Sequence, residues 1–377
     1  MKKLLCNAFS ISVVTLAIAA SSASSQENGP WNSPLMWAEE ISRDVFTTPQ
    51  IFQDSSGVPC VARKSDTDTM YCVFQWFREP RNTATWDRVA TKMSSDGGAT
   101  WTEPVPIVVD GLPAGWQRPF DPTIVFFKDS IRLYFSSSVR MPMGGLDSLV
   151  NTYSAVGVDG INYRFEPGAR FDESTRPVID PAVVYANNSW LLTAPIGAPQ
   201  EGAYQATSSD GLNFTRIADI PSDNAHNWTG NMMIDEEGTV RFYGSGQTLW
   251  RNPYNGFGSW GQFVSIGIRG GDPSAVARGP GKGRWIVFVG PRYVTLVGNT
   301  DLHDEQQSII TPNPVIDVFT ITHCTNAIVS VSCVDILGRV FELPSHNGVV
   351  SARALPDGMY VVRTAAGEYL GRFVKAL

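Results

Sequence analysis

Three aspartates, each directly followed by a proline, are the residues of this sequence best suited to chemistry. They are Asp121, Asp180 and Asp272, in the segments RPFDP, RPVIDP and GGDP. Hydrolysis of a glycosidic bond requires two carboxyl groups, one protonated and one ionised. Like charges crowded at one place raise at least one carboxyl pKa and so divide these two roles. The alternative is structural, because Asp-Pro is also a good turn at the start of a strand.

Two further carboxylates are candidates for the general acid. Glu201, in the loop sequence PIGAPQEGAYQATSSDG, is the first choice, and Asp87, in TWDRVA, is the second. The ordinary alternative for either is a solvated loop carboxylate. Arg118 and Arg176 each precede an Asp-Pro pair and can hold a substrate hydroxyl or carboxylate, or pair with the aspartates as scaffold.

Three tryptophans are predicted to lie in polar loops next to these positions: Trp86, Trp116 and Trp228. An aromatic face stacks on the apolar face of a sugar ring, so exposed tryptophans favour a carbohydrate ligand. Each one taken alone is more often explained by packing between sheets than by a sugar-binding role. As a set, they agree with a site that binds sugar.

The candidate aspartates recur because the sequence itself repeats. Each unit has a polar start, an apolar strand, a polar turn and a second strand that ends in small residues. The five units are 55–77, 118–138, 176–196, 230–246 and 270–290. Five such repeats, each built into a four-stranded sheet, predict a β-propeller, with six blades as the alternative. The segment 36–45 is expected to supply the strand that closes the last sheet.

A second motif recurs between these units, at 94–101 (SSDGGATW), 157–163 (GVDGINY) and 208–214 (SSDGLNF). Asp-Gly followed by a polar residue and an aromatic is typical of a tight turn, in which the Asp side chain binds its own backbone. Asp96, Asp159 and Asp210 are therefore interpreted as structural residues.

The segment SSDGGATW matches the Asp-box, S-x-D-x-G-x-T-W, and so resembles the sialidase-like propellers. The similarity is best over 58–104. The chain departs from sialidases at Gly57-Val58-Pro59, where that family has the Arg that binds a sialic-acid carboxylate. The Asp-Pro starts look more like the five-bladed furanosidase and xylosidase families, whose catalytic carboxylates begin the innermost strands.

This resemblance implies a carbohydrate-active propeller, with Asp121, Asp180 and Asp272 together at one end of the axis. We expect a glycoside hydrolase acting on terminal sugars through a carboxylate pair drawn from these residues and Glu201. The alternative is a non-catalytic propeller on the cell surface that binds carbohydrate or protein, because propellers host both activities. No cofactor or catalytic metal is expected, and structural calcium is left open.

The first 25 residues are typical of a secretory signal peptide. Met1-Lys2-Lys3 is followed by a short apolar run to Ala20 and the small residues 21–25. The run is short and polar-interrupted for a membrane span. We therefore expect an exported protein without a transmembrane segment.

The C-terminal segment, 312–377, has alternating apolar residues between turns, which predicts a small Ig-like β-sandwich. Four blocks in it resemble the C-terminal sorting domain of the type IX secretion system: Asn313-Pro314, Leu337-Gly338-Arg339, 355–360 (LPDGMY) and 371–375 (GRFVK). The resemblance implies recognition by the type IX machinery and delivery to the cell surface or medium. The expected domains are 26–300 for the propeller, 301–311 for a linker and 312–377 for sorting.

Composition limits the remaining possibilities. The 377 residues carry a formal net charge of −7, only 17% are charged and 11% are aromatic. Without clustered Lys and Arg there is no electrostatic case for nucleic acid. Four cysteines follow the signal peptide; Cys60 and Cys72 either form a disulfide across a hairpin or are buried thiols, and the pairing of Cys324 with Cys333 is left open.

Overall fold

The structure is a computed structural model that describes residues 33–377 except 66, 82, 141–148, 198–200, 280, 292–308, 312–316, 323–329, 336–338, 347–348, 365–368 and 376–377. The chain divides into two compact units, 1–293 and 294–377, and each is described by itself. The expected signal peptide and most of the expected linker lie outside the described residues. Among the residues described, no helix is long and apolar enough to cross a membrane.

The first unit contains only strands, turns and loops in its described part. In chain order the strands are β1 (Leu35–Ser42), β2 (Val45–Phe46), β3 (Gln50–Gln53), β4 (Ser56–Arg63), β5 (Met70–Trp76), β6 (Arg88–Ser94), β7 (Val105–Pro106), β8 (Val108–Asp110), β9 (Phe120–Phe127), β10 (Ser130–Ser138), β11 (Val150–Gly157), β12 (Asn162–Phe171), β13 (Ala182–Ala186), β14 (Ser189–Pro195), β15 (Gly202–Ser208), β16 (Thr215–Arg216), β17 (Ile220–Pro221), β18 (Asn227–Ile234), β19 (Val240–Ser245), β20 (Trp250–Gly256), β21 (Ser259–Trp260), β22 (Val264–Ser265), β23 (Gly271–Ala277) and β24 (Arg284–Val289).

These strands form five sheets, named sheets 1 to 5. From the first strand outward they are β4-β5-β6-β7, β9-β10-β11-β12-β8, β13-β14-β15 with β16 and β17, β18-β19-β20 with β21 and β22, and β23-β24-β1 with β2 and β3. Neighbouring strands are antiparallel, except that β8 runs parallel to β12. The five sequence repeats supply the first two strands of these five sheets.

The first strands of the five sheets contact one another in a closed ring, in the order β4, β9, β13, β18, β23 and back to β4. One apolar cluster fills each of the five interfaces between neighbouring sheets. Large aromatic side chains dominate these clusters, as Trp190, Trp250 and Trp285 are fully buried. Sheets radiating from an axis and packed face to face in this way are a β-propeller, so the predicted all-β propeller is confirmed.

The ring is closed by a strand from the other end of the chain. β1 pairs with β24 over Leu35–Glu39, which confirms that the segment 36–45 completes the last sheet. Arg284 secures this strand because its Nε donates to Oε2 of Glu40 at 2.7 Å and its Nη2 donates to Oδ1 of Asp44 at 3.0 Å. Arg251 of sheet 4 donates to both carboxylate oxygens of Asp44 at 2.5 Å.

The two cysteines of sheet 1 lie on opposite faces of it. Cys60 is opposite Val73 and Cys72 is opposite Val61, so the cysteines occupy adjacent rows of the antiparallel pair. Cys60 packs in the interface with sheet 2 and Cys72 in the interface with sheet 5. Both are buried free thiols, as is Cys333, so the disulfide alternative for Cys60 and Cys72 is wrong. Cys324 lies outside the described residues.

The second unit has its own strands and its own core. Its strands are β25 (Ile309–Thr311), β26 (Val318–Thr322), β27 (Ser330–Asp335), β28 (Val340–His346), β29 (Val349–Ser351), β30 (Gly358–Thr364) and β31 (Tyr369–Lys375), paired in the order β25-β26-β29-β28-β27-β30-β31. Phe319, Tyr360 and Phe373 form the aromatic centre of its apolar cluster. The blocks Asn313-Pro314 and Leu337-Gly338 lie outside the described residues.

We predict that Arg284→Met destabilises the first unit by about 3–5 kcal/mol at pH 7, because it leaves the buried Glu40 carboxylate without its partner. The loss shrinks toward pH 3. Burial alone would raise the pKa of Glu40, but the hydrogen bonds from Arg284 hold this pKa below its ordinary value. The stabilisation is therefore present above the ordinary carboxyl pKa and is lost as pH falls through the lowered one. Urea unfolding followed by tryptophan fluorescence measures this unit alone, because all 11 tryptophans precede residue 293.

Lys282→Met is the matched control. Lys282 Nζ and Asp68 Oδ1 form a 3.3 Å ion pair between sheets 5 and 1, with both side chains about half exposed. An exposed pair contributes under about 1 kcal/mol, so this variant unfolds near the wild-type midpoint. Equal losses for the two variants would contradict the role given to Arg284.

Candidate functional site

The first strands of four sheets begin with the same unusual backbone conformation. Asp121, Asp180 and Asp272 have φ values of 50°, 49° and 44°, and Val58, at the corresponding place in sheet 1, has a φ of 46°. Each of these residues precedes a proline. Positive φ is uncommon for Asp and a genuine outlier for Val, so the fold imposes this turn whichever side chain is present.

The turn is accompanied by a break in the register between the first and second strands. The register shifts between Gly57 and Cys60 in sheet 1, around Asp121 in sheet 2 and between Gly271 and Ser274 in sheet 5. Such bulges redirect a side chain and free backbone groups from the ladder. The first side chain of each strand is thereby placed at one end of the axis, which we name the mouth.

The freed N–H of each aspartate donates to a side chain of the preceding sheet. Asp121 N donates to Oε1 of Gln75 at 3.4 Å, and Asp272 N donates to Oγ of Ser245 at 2.9 Å. Asp180 N donates to Oδ2 of Asp121 itself at 3.3 Å. The Oγ of Ser136 also donates to that Oδ2, at 3.1 Å. The three aspartates are thus brought together and held in place from sheet to sheet.

Their surroundings oppose ionisation. Burial is the main reason that the pKa of Asp121 rises to about 7; hydrogen bonds from Asp180 and Ser136 oppose the rise, and the charges of Asp272 and Asp87 add to it. Burial and then the charges of Asp121 and Asp272 raise the pKa of Asp180 well above its ordinary value. The neighbouring Asp121 carboxyl further favours the protonated form of Asp180.

Asp272 differs from that pair. Burial also raises its pKa, but Thr229 hydrogen-bonds to its carboxylate and favours the ionised form. Its side chain and that of Asp180 keep partial solvent exposure, whereas Asp121 is 7% exposed. The mouth therefore presents carboxyl groups in different protonation environments to a ligand that enters from solvent.

Directly below the aspartates, a layer of small polar side chains fills the axis. Thr123 Oγ1 donates to the Pro181 carbonyl at 2.6 Å and accepts from Nδ2 of Asn231 at 2.8 Å. Ser274 Oγ accepts from the N–H of Val61 at 3.0 Å. These contacts join sheets 1 and 5 and sheets 2, 3 and 4, and the buried side chains of Thr123, Asn231 and Ser274 form a floor beneath the aspartates.

Glu201 and Arg176 are brought together at the rim, on the same end of sheet 3 as Asp180. Arg176 Nη1 donates to Oε2 of Glu201 at 2.5 Å, and both side chains are 51% exposed. The hydrogen bond that Arg176 donates to Glu201 raises the pKa of Arg176. The structure thus pairs these two predicted site residues with each other.

Arg118 connects sheet 2 to the loop that carries Trp86. Its Nη1 donates to the carbonyl oxygen of Trp86 at 2.8 Å. Trp86 is half-buried and packs against Phe77, with a ring-centroid distance of 5.7 Å. Arg118 is therefore hydrogen-bonded to a backbone carbonyl of the neighbouring sheet, which is a different contact from the predicted pairing with an aspartate.

The other two tryptophans pack into the protein. Trp116 contacts Tyr153 and Phe165 edge-on, at centroid distances of 5.0 and 5.7 Å. Trp228 lies within β18 and is 2% exposed among the aromatic rings of sheet 4. Its expected place in a polar loop is therefore wrong, and its faces are closed to a sugar ring.

The three Asp-Gly turns are occupied by their own hydrogen bonds. Asp96 accepts from the N–H and Oγ1 of Thr100 at 2.9 and 2.5 Å, and those bonds lower its pKa to about 2. Asp159 and Asp210 accept from the backbone of their own turns in the same way. These turns follow the third strands of their sheets, at the end opposite the mouth, as their structural interpretation requires.

Sequence reasoning did not single out Gln75, Ser136 and Ser245, which hold the aspartates. All three lie at the ends of second strands, where the repeats were seen to finish in small or polar residues. Asp87 was only the second choice for the general acid. The structure links it to the aspartates, since Gln75 Nε2 donates to Oδ1 of Asp87 and Gln75 Oε1 accepts from the N–H of Asp121. In the described part of the chain, no cluster of three His, Cys, Asp or Glu side chains has the arrangement of a metal site.

The described residues thus define a β-propeller with a floored acidic mouth at one end of its axis. The chain is similar in structure to a family GH32 β-fructofuranosidase of Bombyx mori, with 12% identity over 93% of this chain and 89% of that one and a TM-score of 0.48. It is also similar to a family 117 glycoside hydrolase of the marine bacterium Zobellia galactanivorans, with 12% identity over 70% and 92% of the two chains and a TM-score of 0.45. A GH130 structure gives 10% identity over 62% and 83%, with a TM-score of 0.42. No protein-family profile and no curated protein matches the sequence.

We predict that Asp121→Asn stabilises the first unit, and does so more at pH 8 than at pH 4. A carboxyl whose folded pKa is raised from 3.8 to about 7 costs stability as pH rises through that window. Each pKa unit corresponds to about 1.4 kcal/mol, so the gain at pH 8 amounts to a few kcal/mol. Urea midpoints at the two pH values measure it, and a variant that is destabilised at pH 8 would contradict the account. Asn tolerates positive φ, so the turn is retained.

Proposed function

We propose that this protein is a glycoside hydrolase that removes terminal sugars with carboxyl groups of the mouth. The observation that carries the proposal is that the same turn forms with Val58 as with the three aspartates. The turn therefore does not require a carboxylate. Three carboxylates buried together cost stability, and groups with such raised pKa values are typical of functional sites.

The order of the sheets around the axis separates the three aspartates into a pair and a single residue. Sheets 2 and 3 are neighbours, whereas sheet 5 is separated from them by sheet 1 on one side and sheet 4 on the other. Asp272 therefore faces the Asp121–Asp180 pair across the axis. A sugar over the mouth then lies between a carboxyl pair that holds a proton and a third carboxyl group.

In this proposal Asp180 is the general acid and gives its proton to the leaving-group oxygen as the glycosidic C–O bond breaks. Asp272, ionised, acts on the opposite side, either by taking a proton from the attacking water or by attacking the anomeric carbon itself. Asp121 accepts the hydrogen bond that keeps the proton on Asp180. The floor of the mouth supports a terminal sugar as the substrate, since a longer chain cannot thread along the axis.

The Arg176–Glu201 pair is assigned to binding rather than to proton transfer. Both side chains are half exposed at the rim and are already hydrogen-bonded to each other. Such a pair can bind sugar hydroxyls through the donors of Arg and the acceptors of Glu. We expect Glu201→Gln to raise KM more than it lowers kcat.

The test is a screen of chromogenic pyranosides, furanosides and sialosides with the wild type, followed by Asp180→Asn and Asp272→Asn on the substrate that is cleaved. Removal of an acid or base in the transition state costs about 10²–10⁴-fold in rate, so both variants are expected to lose at least 100-fold in kcat. Asp110→Asn is the matched control, since Asp110 is an exposed carboxylate at the end of β8. Full activity in the folded Asp180→Asn variant would overturn the assignment.

A non-catalytic binding propeller is the second candidate, favoured by the place of Val58. Sheet 1 contributes no carboxylate from its first strand, so the ring of first residues is incomplete. Calorimetric binding of a sugar without any turnover, unchanged in Asp180→Asn, would support this candidate against the hydrolase.

We further propose that the protein is exported by its signal peptide and then carried across the outer membrane by the type IX machinery. The sorting blocks of 312–377 support this, and the second unit with its separate aromatic core is suited to recognition apart from the propeller. In a bacterium with type IX secretion, removal of 312–377 is expected to leave the propeller folded inside the cell. Immunoblots of medium, surface and periplasmic fractions measure where the truncated protein is found, and its unchanged delivery to the surface or medium would refute the proposal.

A further inference from the structure

Asp87 occupies a repeated place in the fold that only one other carboxylate shares. It directly precedes β6, the third strand of sheet 1, just as Glu201 directly precedes β15, the third strand of sheet 3. Both residues therefore stand at the mouth end of their sheets. Their partners differ, because Glu201 binds an exposed arginine at the rim.

Asp87 is turned toward the aspartates by Gln75. This glutamine lies in β5, is 8% exposed and uses both ends of its amide. Its Nε2 donates to Oδ1 of Asp87, and its Oε1 accepts from the N–H of Asp121 at 3.4 Å. One buried side chain thus joins the Asp87 carboxylate to the backbone that carries Asp121.

Two arginines beside Asp87 donate to backbone carbonyl oxygens of its loop. Arg88 Nη1 donates to the Ala84 carbonyl at 3.1 Å, and Arg118 Nη1 donates to the Trp86 carbonyl at 2.8 Å. Asp87 itself has a φ of 52°, which fixes where its side chain leaves the backbone. Gln75 thus holds the Asp87 carboxylate beside Asp121, and the charge of Asp87 contributes to the raised pKa of Asp121.

We propose that Asp87 is a positioning residue of the mouth: clamped by Gln75, it supplies from the third strand of sheet 1 the negative charge that the first strand, with Val58, does not provide. This rests on the proposed function for its consequence, which is the pH range of activity. Asp121 is faced by Asp87 from sheet 1, by Asp180 from sheet 3 and by Asp272 from sheet 5. Removing one of these charges makes Asp121 easier to ionise, so Asp121 becomes the hydrogen-bond acceptor for Asp180 at a lower pH.

The test uses Asp87→Asn, which keeps an acceptor for Gln75 and tolerates positive φ while removing the charge. The first readout is stability against pH, measured by urea unfolding and tryptophan fluorescence from pH 4 to pH 8. The wild type loses stability over this range because its mouth carboxyls bind protons more tightly when folded. Asp87→Asn is expected to lose less, with its curve levelling off at a lower pH. Gln75→Met, which releases the clamp, is expected to change the curve in the same direction.

Asp110→Asn removes a charge of the same sign from the surface and is expected to leave the curve unchanged. If the curve of folded Asp87→Asn superimposes on that of the wild type, the proposal is overturned, whether or not the protein hydrolyses any sugar. Where activity is found, the acidic limb of its kcat/KM profile, which requires ionised Asp121, is expected to move to lower pH in Asp87→Asn. An unmoved limb with a shifted stability curve would leave Asp87 coupled to Asp121 and would remove Asp121 ionisation from catalysis.

Discussion

The structure depends on one backbone constraint, the left-handed turn that begins the first strands. At Asp121, Asp180 and Asp272 this turn takes the N–H out of its own ladder and directs it to the preceding sheet. Each aspartate is thereby fixed by its neighbour around the ring. A residue held at positive φ costs on the order of 1–3 kcal/mol, so the surrounding sheets must determine the turn. The position of the three carboxyl groups at the mouth is a consequence of this turn.

Stability is supplied away from the mouth. Five aromatic-rich interfaces hold the sheets together, and Arg284 and Arg251 bind the chain-closing strand through Glu40 and Asp44. The Asp-Gly turns lie at the end opposite the mouth and satisfy their own carboxylates. The carboxyl pKa values are therefore shifted in opposite directions at the two ends of the propeller. At one end hydrogen bonds lower the carboxyl pKa, and at the other burial raises it.

Much of this organisation was predictable because repetition is visible in a sequence. The five repeats, the closing segment 36–45 and the structural role of Asp96 all follow from short-range patterns that the sheets retain. The face of the sheet on which an individual side chain lies was harder to predict. Trp228 has polar neighbours in the sequence, yet it belongs to a strand and points into the interface between sheets 3 and 4. Cys60 and Cys72 are spaced symmetrically about a turn in the sequence, but the register pairs each of them with a valine and places them on opposite faces of the sheet.

The partners of the candidate carboxylates could not be predicted for the same reason. Glu201 and Asp87 stand at equivalent places, and only the side chains that meet them separate their roles: Arg176 for Glu201 and Gln75 for Asp87. Contacts across sheets depend on register and bulges, which the spacing of residues along the chain does not determine. The raised pKa values of Asp121 and Asp180 likewise arise from contacts between two sheets whose strands are far apart in sequence.

The central claim is that burial in a common mouth suppresses ionisation of these aspartates. The most direct measurement is a pH titration of the protein labelled with ¹³C at the aspartate carboxyl carbons, observed by NMR. The account predicts an aspartate that titrates near pH 7 and whose signal is absent from Asp121→Asn. Titration of every aspartate below pH 5 would contradict it.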